Sequence, residues 1–240
     1  MLAALFCWAA SVAQADERID LPTRPGITQR FYFTAAASPR RSAVLFVGAR
    51  GEFGEAARTN FLARVASSFV AQGISVAIPD VPSDHADGMT DGFRASAEHA
   101  TDVAAVITFL QQRAAVPVWL VGTSRGTIPA ASVAARLGPP HVAGLVLTST
   151  VWPALRAVTS LGQVQVPTLV VHNRNDGCQE SPFSAAADGV AALTHAPAKD
   201  FVAISGGRSL GPACRALSPH GFYGIEDQVV PPITAWIQTH

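Results

Sequence analysis

Charge is scarce in this 240-residue chain: 14% of residues are charged, and 17 acidic and 17 basic side chains cancel. With neither net charge nor a basic cluster, nucleic acid and anionic membrane surfaces are not expected partners, and a small molecule is the better expectation. Cysteine is scarcer, three in all, without the short C-x-x-C spacing that supports a zinc reading, so no metal is expected. Neither G-x-G-x-x-G nor G-x-x-x-x-G-K-[ST] occurs, so no nucleotide cofactor is expected. No repeat or low-complexity linker interrupts the sequence, and its length suits one well-buried domain rather than two. No apolar run is long enough to span a bilayer.

The first fifteen residues, MLAALFCWAASVAQA, form an apolar stretch ending in Ala-Gln-Ala, without a positive leading region. The pattern reads as a secretory signal cleaved after Ala15, leaving residues 16–240 as one domain in the periplasm or outside the cell. Cys7 would leave with the signal. The two remaining cysteines, Cys178 and Cys214, would then sit in an oxidising compartment where they can pair.

Apolar, β-branched runs bounded by turn residues recur at 42–48, 73–80, 116–122, 142–150, 166–173 and 199–206. They are apolar on successive residues, as strands covered on both faces are, which predicts a parallel sheet. Residues 30–37 predict an antiparallel edge strand. Between the runs, helical spacing appears in Phe61, Leu62, Val65, Phe69 and Val70, in 98–113, in 124–137 with Pro129 in the first turns, in 182–195 and in 228–240. Strand and helix alternate, the pattern of an α/β doubly wound, mostly parallel sheet with helices on both faces. Residues 151–164 are too few for a large cap domain.

Gly122-Thr123-Ser124-Arg125-Gly126 is G-x-S-x-G between an apolar strand and a helix. Two glycines flanking a serine permit a turn tight enough to present its hydroxyl at a helix N-terminus, the setting of a catalytic nucleophile. A serine hydroxyl needs a base, and the base needs a carboxylate to orient it. Following the chain order Ser, acid, His, each after a strand, the candidates are Asp176 and His220. Asp188 and Asp200 fall in a helix and at a strand start, Glu180 reads as a helix cap, and His195 and His141 lie at the opposite edge. His85 and His99 precede the serine, and His172 reads equally as a buried structural residue.

Cys178 and Cys214 flank Asp176 and His220, so their loops must meet if the assignment holds. A disulfide between them would fix the acid against the base and contribute about 4 kcal/mol in the chain-entropy view. Donors for an oxyanion are expected from the N–H of Arg125 and from the glycine-rich loop 48–54, at Ala49 or alternatively Arg50. The polar stretch 78–102 reads as a pocket rim; Asp84, His85, Asp87 and Asp91 within it lack the spacing of a calcium loop. Trp152 and Phe222 read as pocket walls or as core.

With this serine turn, glycine-rich loop and late Asp and His in that order, the chain resembles the α/β-hydrolase superfamily over nearly all of residues 16–240. It is most similar to small lidless members of the dienelactone-hydrolase or carboxylesterase kind. The resemblance implies Ser124 as nucleophile, His220 as general base and acid, Asp176 as its partner, and a small acyl or ester substrate without a cofactor. A peptidase, a thioesterase or a non-catalytic binding protein would share the same scaffold. Val47-Gly48 stands where many members have His-Gly. Arg125 is unusual beside the serine, and its side chain reads either as a receptor for a substrate anion or as the ion-pair partner of Asp80 or Asp84.

Overall fold

Each strong apolar run becomes a strand. The computed structural model describes residues 16–53 and 55–240; the proposed signal, residues 1–15, lies outside the described residues. The strands are β1 (Glu17–Arg24), β2 (Ile27–Thr34), β3 (Arg41–Phe46), β4 (Ile74–Pro82), β5 (Val118–Thr123), β6 (Gly144–Thr148), β7 (Thr168–Asn173) and β8 (Lys199–Ile204). They form one open sheet in the order β1-β2-β4-β3-β5-β6-β7-β8. β1 and β2 pair antiparallel, β2 joins β4 antiparallel, and every later pairing is parallel.

Helices α1 (Phe61–Ala71), α2 (Asp91–Arg94), α3 (Ala97–Arg113), α4 (Thr127–Leu137), α5 (Trp152–Val158), α6 (Ala186–Ala191) and α7 (Glu226–Thr239) connect or follow the strands. The side chains of β5 alternate between two cores, Val118 and Leu120 on one face, Trp119 and Val121 on the other. Helices α3, α4 and α5 cover the first face through residues such as Val106, Ile128 and Leu155. Helices α1 and α7 cover the second through Phe61, Phe69, Val229 and Ile233. Burial on both faces explains the uninterrupted apolar runs; each fully buried Leu, Ile or Phe contributes roughly 1.5–3 kcal/mol.

Three expectations are adjusted. The edge strand expected at 30–37 is β2, three residues earlier, and β1 beside it is a further strand whose residues are partly or fully exposed. The helix expected over 182–195 is the short α6, preceded by the 3-10 turn Phe183–Ala185. The strand expected to end at residue 80 extends as β4 to Pro82, and within the polar stretch 78–102 a short helix, α2, folds on a Thr90 cap whose Oγ1 accepts the Phe93 N–H at 3.2 Å. Residues 151–164 hold only α5 and the 3-10 turn Leu161–Gln163, which leaves no room for a cap domain.

Candidate active site

The parallel strands all end on one edge, and Ser124, Asp176 and His220 follow the C-terminal ends of β5, β7 and β8, where open α/β sheets bind ligands. Ser124 opens the 3-10 turn Ser124–Gly126 that runs into α4. Its φ of 53° is left-handed, a conformation costing a non-glycine residue of order 1–3 kcal/mol unless its surroundings enforce it. They do: a Cβ on Gly122 would lie 2.4 Å from the Gly126 carbonyl oxygen. Gly48 brings the preceding loop equally close, since a Cβ there would lie 2.9 Å from the Ser124 Cβ.

Asp176 and His220, 44 residues apart, meet through a 2.8 Å hydrogen bond from Nδ1 to Oδ2. Oδ2 also accepts Ser181 Oγ–H at 3.1 Å and lies 3.3 Å from His172 Nε2, while Oδ1 accepts the Cys178 N–H at 2.9 Å. Burial pushes this carboxyl group up, but the hydrogen bonds from His172 and His220, the His220 charge and the Cys178 N–H outweigh it and hold the pKa at about 2. Asp176 is therefore a carboxylate at neutral pH, so Nδ1 of His220 carries the proton it donates. In the neutral ring Nε2 is then left with a lone pair. That atom is buried and has no hydrogen-bond partner among the described residues, Ser124 Oγ included.

The backbone around His220 is tied to neighbouring strand ends. Ser149 Oγ donates to the His220 carbonyl at 2.6 Å, and Asn173 Nδ2 donates to the Pro219 carbonyl at 2.9 Å. Cys178 and Cys214 form the expected disulfide across 36 residues, linking the acid loop to the histidine loop. His172, ambiguous in sequence, is fully buried beside Asp176; its Nε2–H donates to the Ser181 carbonyl at 3.1 Å. Neither Ser181 nor Ser149 has a sequence signal that distinguishes it from any other loop serine.

On the opposite side of Ser124, residues 48–51 make a β-turn in which Gly51 N–H donates to the Gly48 carbonyl at 3.1 Å and Ala49 has φ 51°. The Ala49 carbonyl accepts Arg94 Nη2–H at 2.7 Å, and the Arg50 carbonyl accepts the Met89 N–H at 2.9 Å. The loop carbonyls are thus engaged within the protein, while the N–H groups of Ala49 and Arg50 make no hydrogen bond among the described residues. The Arg125 N–H lies in the first helical turn, where no intrahelical acceptor exists.

The Arg125 side chain is paired, but not with the carboxylates expected. It binds Asp91 Oδ2 and, at 2.6 Å, Glu180 Oε2, bridging α2 to the acid loop, and the Asp91 hydrogen bond is the main cause raising its pKa. Glu180 accordingly is not a helix cap. Asp80 instead accepts the N–H groups of Phe53 and Val81, each at 2.8 Å. Asp84 pairs at 2.9 Å with Arg24, whose hydrogen bond lowers the carboxyl pKa to about 2; Arg24 also holds the buried Asp102. Trp152 and Phe222 are core residues, each fully buried, with Phe222 against Phe61. Cavities of about 500 and 650 Å³ open beside Tyr32 and beside Pro139, but neither is lined by Ser124, Asp176 or His220.

No family model and no curated protein matches the chain. Solved structures do. An alpha-beta serine hydrolase homologue from Coxiella burnetii is 17% identical with a TM-score of 0.67, covering 94% of this chain and 99% of that one. A dienelactone hydrolase from Anabaena variabilis is 13% identical with a TM-score of 0.70, covering 95% and 99%. Est1E from Butyrivibrio proteoclasticus is 14% identical with a TM-score of 0.64, covering 92% and 98%, and its structure is also known with ferulic acid bound. The chain has the α/β-hydrolase fold.

Proposed function

We propose that the protein is an exported serine hydrolase that cleaves carboxylic esters of small molecules. The observation that carries this reading is the presence of two prepared groups at one edge of the sheet: a serine held at φ 53° on a strand-to-helix turn, and a histidine fixed by a buried carboxylate with its other ring nitrogen unpartnered among the described residues. Neither arrangement has a structural need that would explain it; one is strained and the other leaves a buried nitrogen without a partner.

In the proposed reaction, His220 Nε2 takes the Ser124 proton as Oγ bonds to the ester carbonyl carbon. The carbonyl oxygen becomes an oxyanion held by N–H groups of Arg125 and of Ala49 or Arg50. Collapse breaks the bond to the alcohol oxygen, which takes the proton from His220. Water, deprotonated by His220, then attacks the acyl-enzyme and releases the acid and Ser124. Asp176 holds the ring in the necessary tautomer and stabilises its cation. Arg125, already bridged between two acids, supports this role through its backbone rather than by binding a substrate anion. The Cys178–Cys214 disulfide and the apolar leader support export, and no described helix is long and apolar enough to cross a membrane. The fold-level likeness to esterases favours esters over amides or thioesters. Hydrolysis of p-nitrophenyl esters of increasing acyl length tests the reading: turnover is expected for the protein and loss to background for His220→Ala, whereas equal turnover by both would remove His220 from the mechanism.

A further inference from the structure

Arg94 ends the four-residue α2 in a stretch with no sequence motif, yet it is 1% exposed and among the largest fully buried side chains. Its Nη2 donates to the Ala49 carbonyl at 2.7 Å and its Nε to the Met89 carbonyl at 3.3 Å, while Nη1 has no partner. Among the described residues no carboxylate forms a direct ion pair with it; Asp91, on the same short helix, is paired with Arg125 and acts on Arg94 only at longer range. Its surroundings are Phe46, Val47, Pro79, Met89, Pro129 and the neutral His99 ring, whose own two nitrogens are also without partners. Burial draws the Arg94 pKa down only to about 10, so the group is a cation at neutral pH. A buried cation without a direct ion-pair partner is costly to keep, and an apolar side chain would fill this space more cheaply.

Its contacts identify what it does. The Ala49 carbonyl belongs to the middle peptide of the turn 48–51, and the N–H of that same peptide is Arg50's. A middle peptide is the part of a β-turn that flips between turn types, exchanging the directions of carbonyl and N–H while the flanking residues stay in place. In a trans peptide the two groups point opposite ways, so a carbonyl drawn inward to a buried guanidinium sends the Arg50 N–H outward. The neighbouring Gly48–Ala49 peptide is oriented separately, through the Gly51 N–H on the Gly48 carbonyl.

We propose that Arg94 is a positioning residue that locks the middle peptide of the turn 48–51 in the orientation that presents N–H rather than carbonyl to the Ser124 oxyanion. The inference rests on the serine-hydrolase reading above. It gives the buried charge a purpose, since the anionic tetrahedral state adds negative charge beside a guanidinium that Asp91 offsets only at longer range, in a medium where such attraction is poorly screened. It also favours Arg50 N–H as a donor beside Ala49.

Arg94→Met and Arg94→Lys test this, with p-nitrophenyl butyrate as substrate and butaneboronic acid as a mimic of the tetrahedral anion. Loss of one oxyanion donor costs about 100-fold or more in kcat. For Arg94→Met a kcat drop of about 100-fold is therefore expected, with KM within about threefold and boronate affinity falling in proportion to kcat/KM. Arg94→Lys, which keeps the charge and one donor, is expected between the two, about tenfold below the natural protein. A role confined to packing would make Met as good as Lys and leave boronate affinity unchanged, and that result overturns the proposal. If Arg94→Met does not fold, as judged by its thermal transition, Arg94→Lys decides: unchanged kcat and boronate affinity in a folded lysine variant overturn it. An inactive natural protein that fails to bind the boronate would overturn the hydrolase reading and this proposal with it, whereas an active one with unaffected variants overturns the proposal alone.

Discussion

The two sides of Ser124 are built on opposite plans. On the acid and histidine side, polar groups are held several times over: Asp176 accepts from His220, Ser181 and Cys178, the His220 carbonyl is taken by Ser149, and a disulfide closes the two loops. On the turn 48–51 side, one guanidinium without a direct ion-pair partner holds the middle peptide, above a histidine whose ring nitrogens have no partner among the described residues. A buried group supported by several partners tolerates loss of any one of them, while a group with a single support does not. In the proposed reaction, this redundancy protects the pair that moves the proton, whose tautomer must be right in every turnover. On the proposed account, the turn side keeps a buried charge where negative charge would develop.

The largest expected effect comes from removing the one function that redundancy cannot replace. Asp176→Asn leaves the hydrogen-bonding geometry nearly intact but removes the charge and permits the wrong His220 tautomer, and a kcat drop of about 10,000-fold is expected in ester hydrolysis. A drop below tenfold would mean that Asp176 is not the orienting acid.

Breaking a redundant support should instead cost stability. Cys178→Ser with Cys214→Ser is expected to lower unfolding free energy by up to about 4 kcal/mol in urea titration, for a loop closed over 36 residues. The kcat of the folded double variant should stay within about tenfold, because Ser181, Cys178 N–H and Ser149 still hold the pair. A collapse of kcat in a folded double variant would mean the disulfide, not the hydrogen bonds, sets the geometry.

The smallest expected effect lies beneath the turn. Burial first, then the Arg94 charge, pushes the His99 pKa down to about 3. The unfolded ring takes a proton near its ordinary value of about 6.5, the folded ring only near 3, so the unfolded state binds more protons between these values. Stability is fully present above pH 6.5 and falls as pH drops through this window, by roughly 3 kcal/mol between pH 6.5 and 4. His99→Leu, which removes two unsatisfied nitrogens, is expected to flatten that part of a stability profile at no cost near pH 7. The Asp176 carboxylate has a depressed pKa and loses its contribution lower, between about pH 4 and 2. A His99→Leu profile as steep as the natural one would place the acid sensitivity elsewhere.

The same division governs what could be read from the sequence. Strands β3 to β7 were legible because burial on both faces leaves unbroken β-branched runs, β8 by its apolar pattern although its residues are partly or fully exposed, and the tight turn at Ser124 because two glycines in a strand-to-helix context are a local steric requirement. The meeting of Asp176 with His220 was legible from chain order, and the disulfide from the convergence of their loops. Strand β1 was not legible: ERIDLPTR is polar and exposed and becomes a strand only by pairing with β2. The carboxylates of Arg125 were misassigned because Asp80 and Asp84 are committed to backbone N–H groups and to Arg24, whereas Asp91 opens the short α2 and Glu180 lies on the acid loop, two segments whose meeting no local pattern specifies. Arg94 has no signal at all in one sequence, since a lone arginine in a polar stretch reads as solvent-exposed until its burial is seen.

Fluorophosphonate labelling of the folded protein, with the modified residue mapped by mass spectrometry beside Ser124→Ala, tests the activated serine most directly. A single adduct on Ser124, absent from the variant, is the expected result. A folded protein that takes no label, or takes it equally in the variant, would contradict the proposal that Ser124 is a nucleophile.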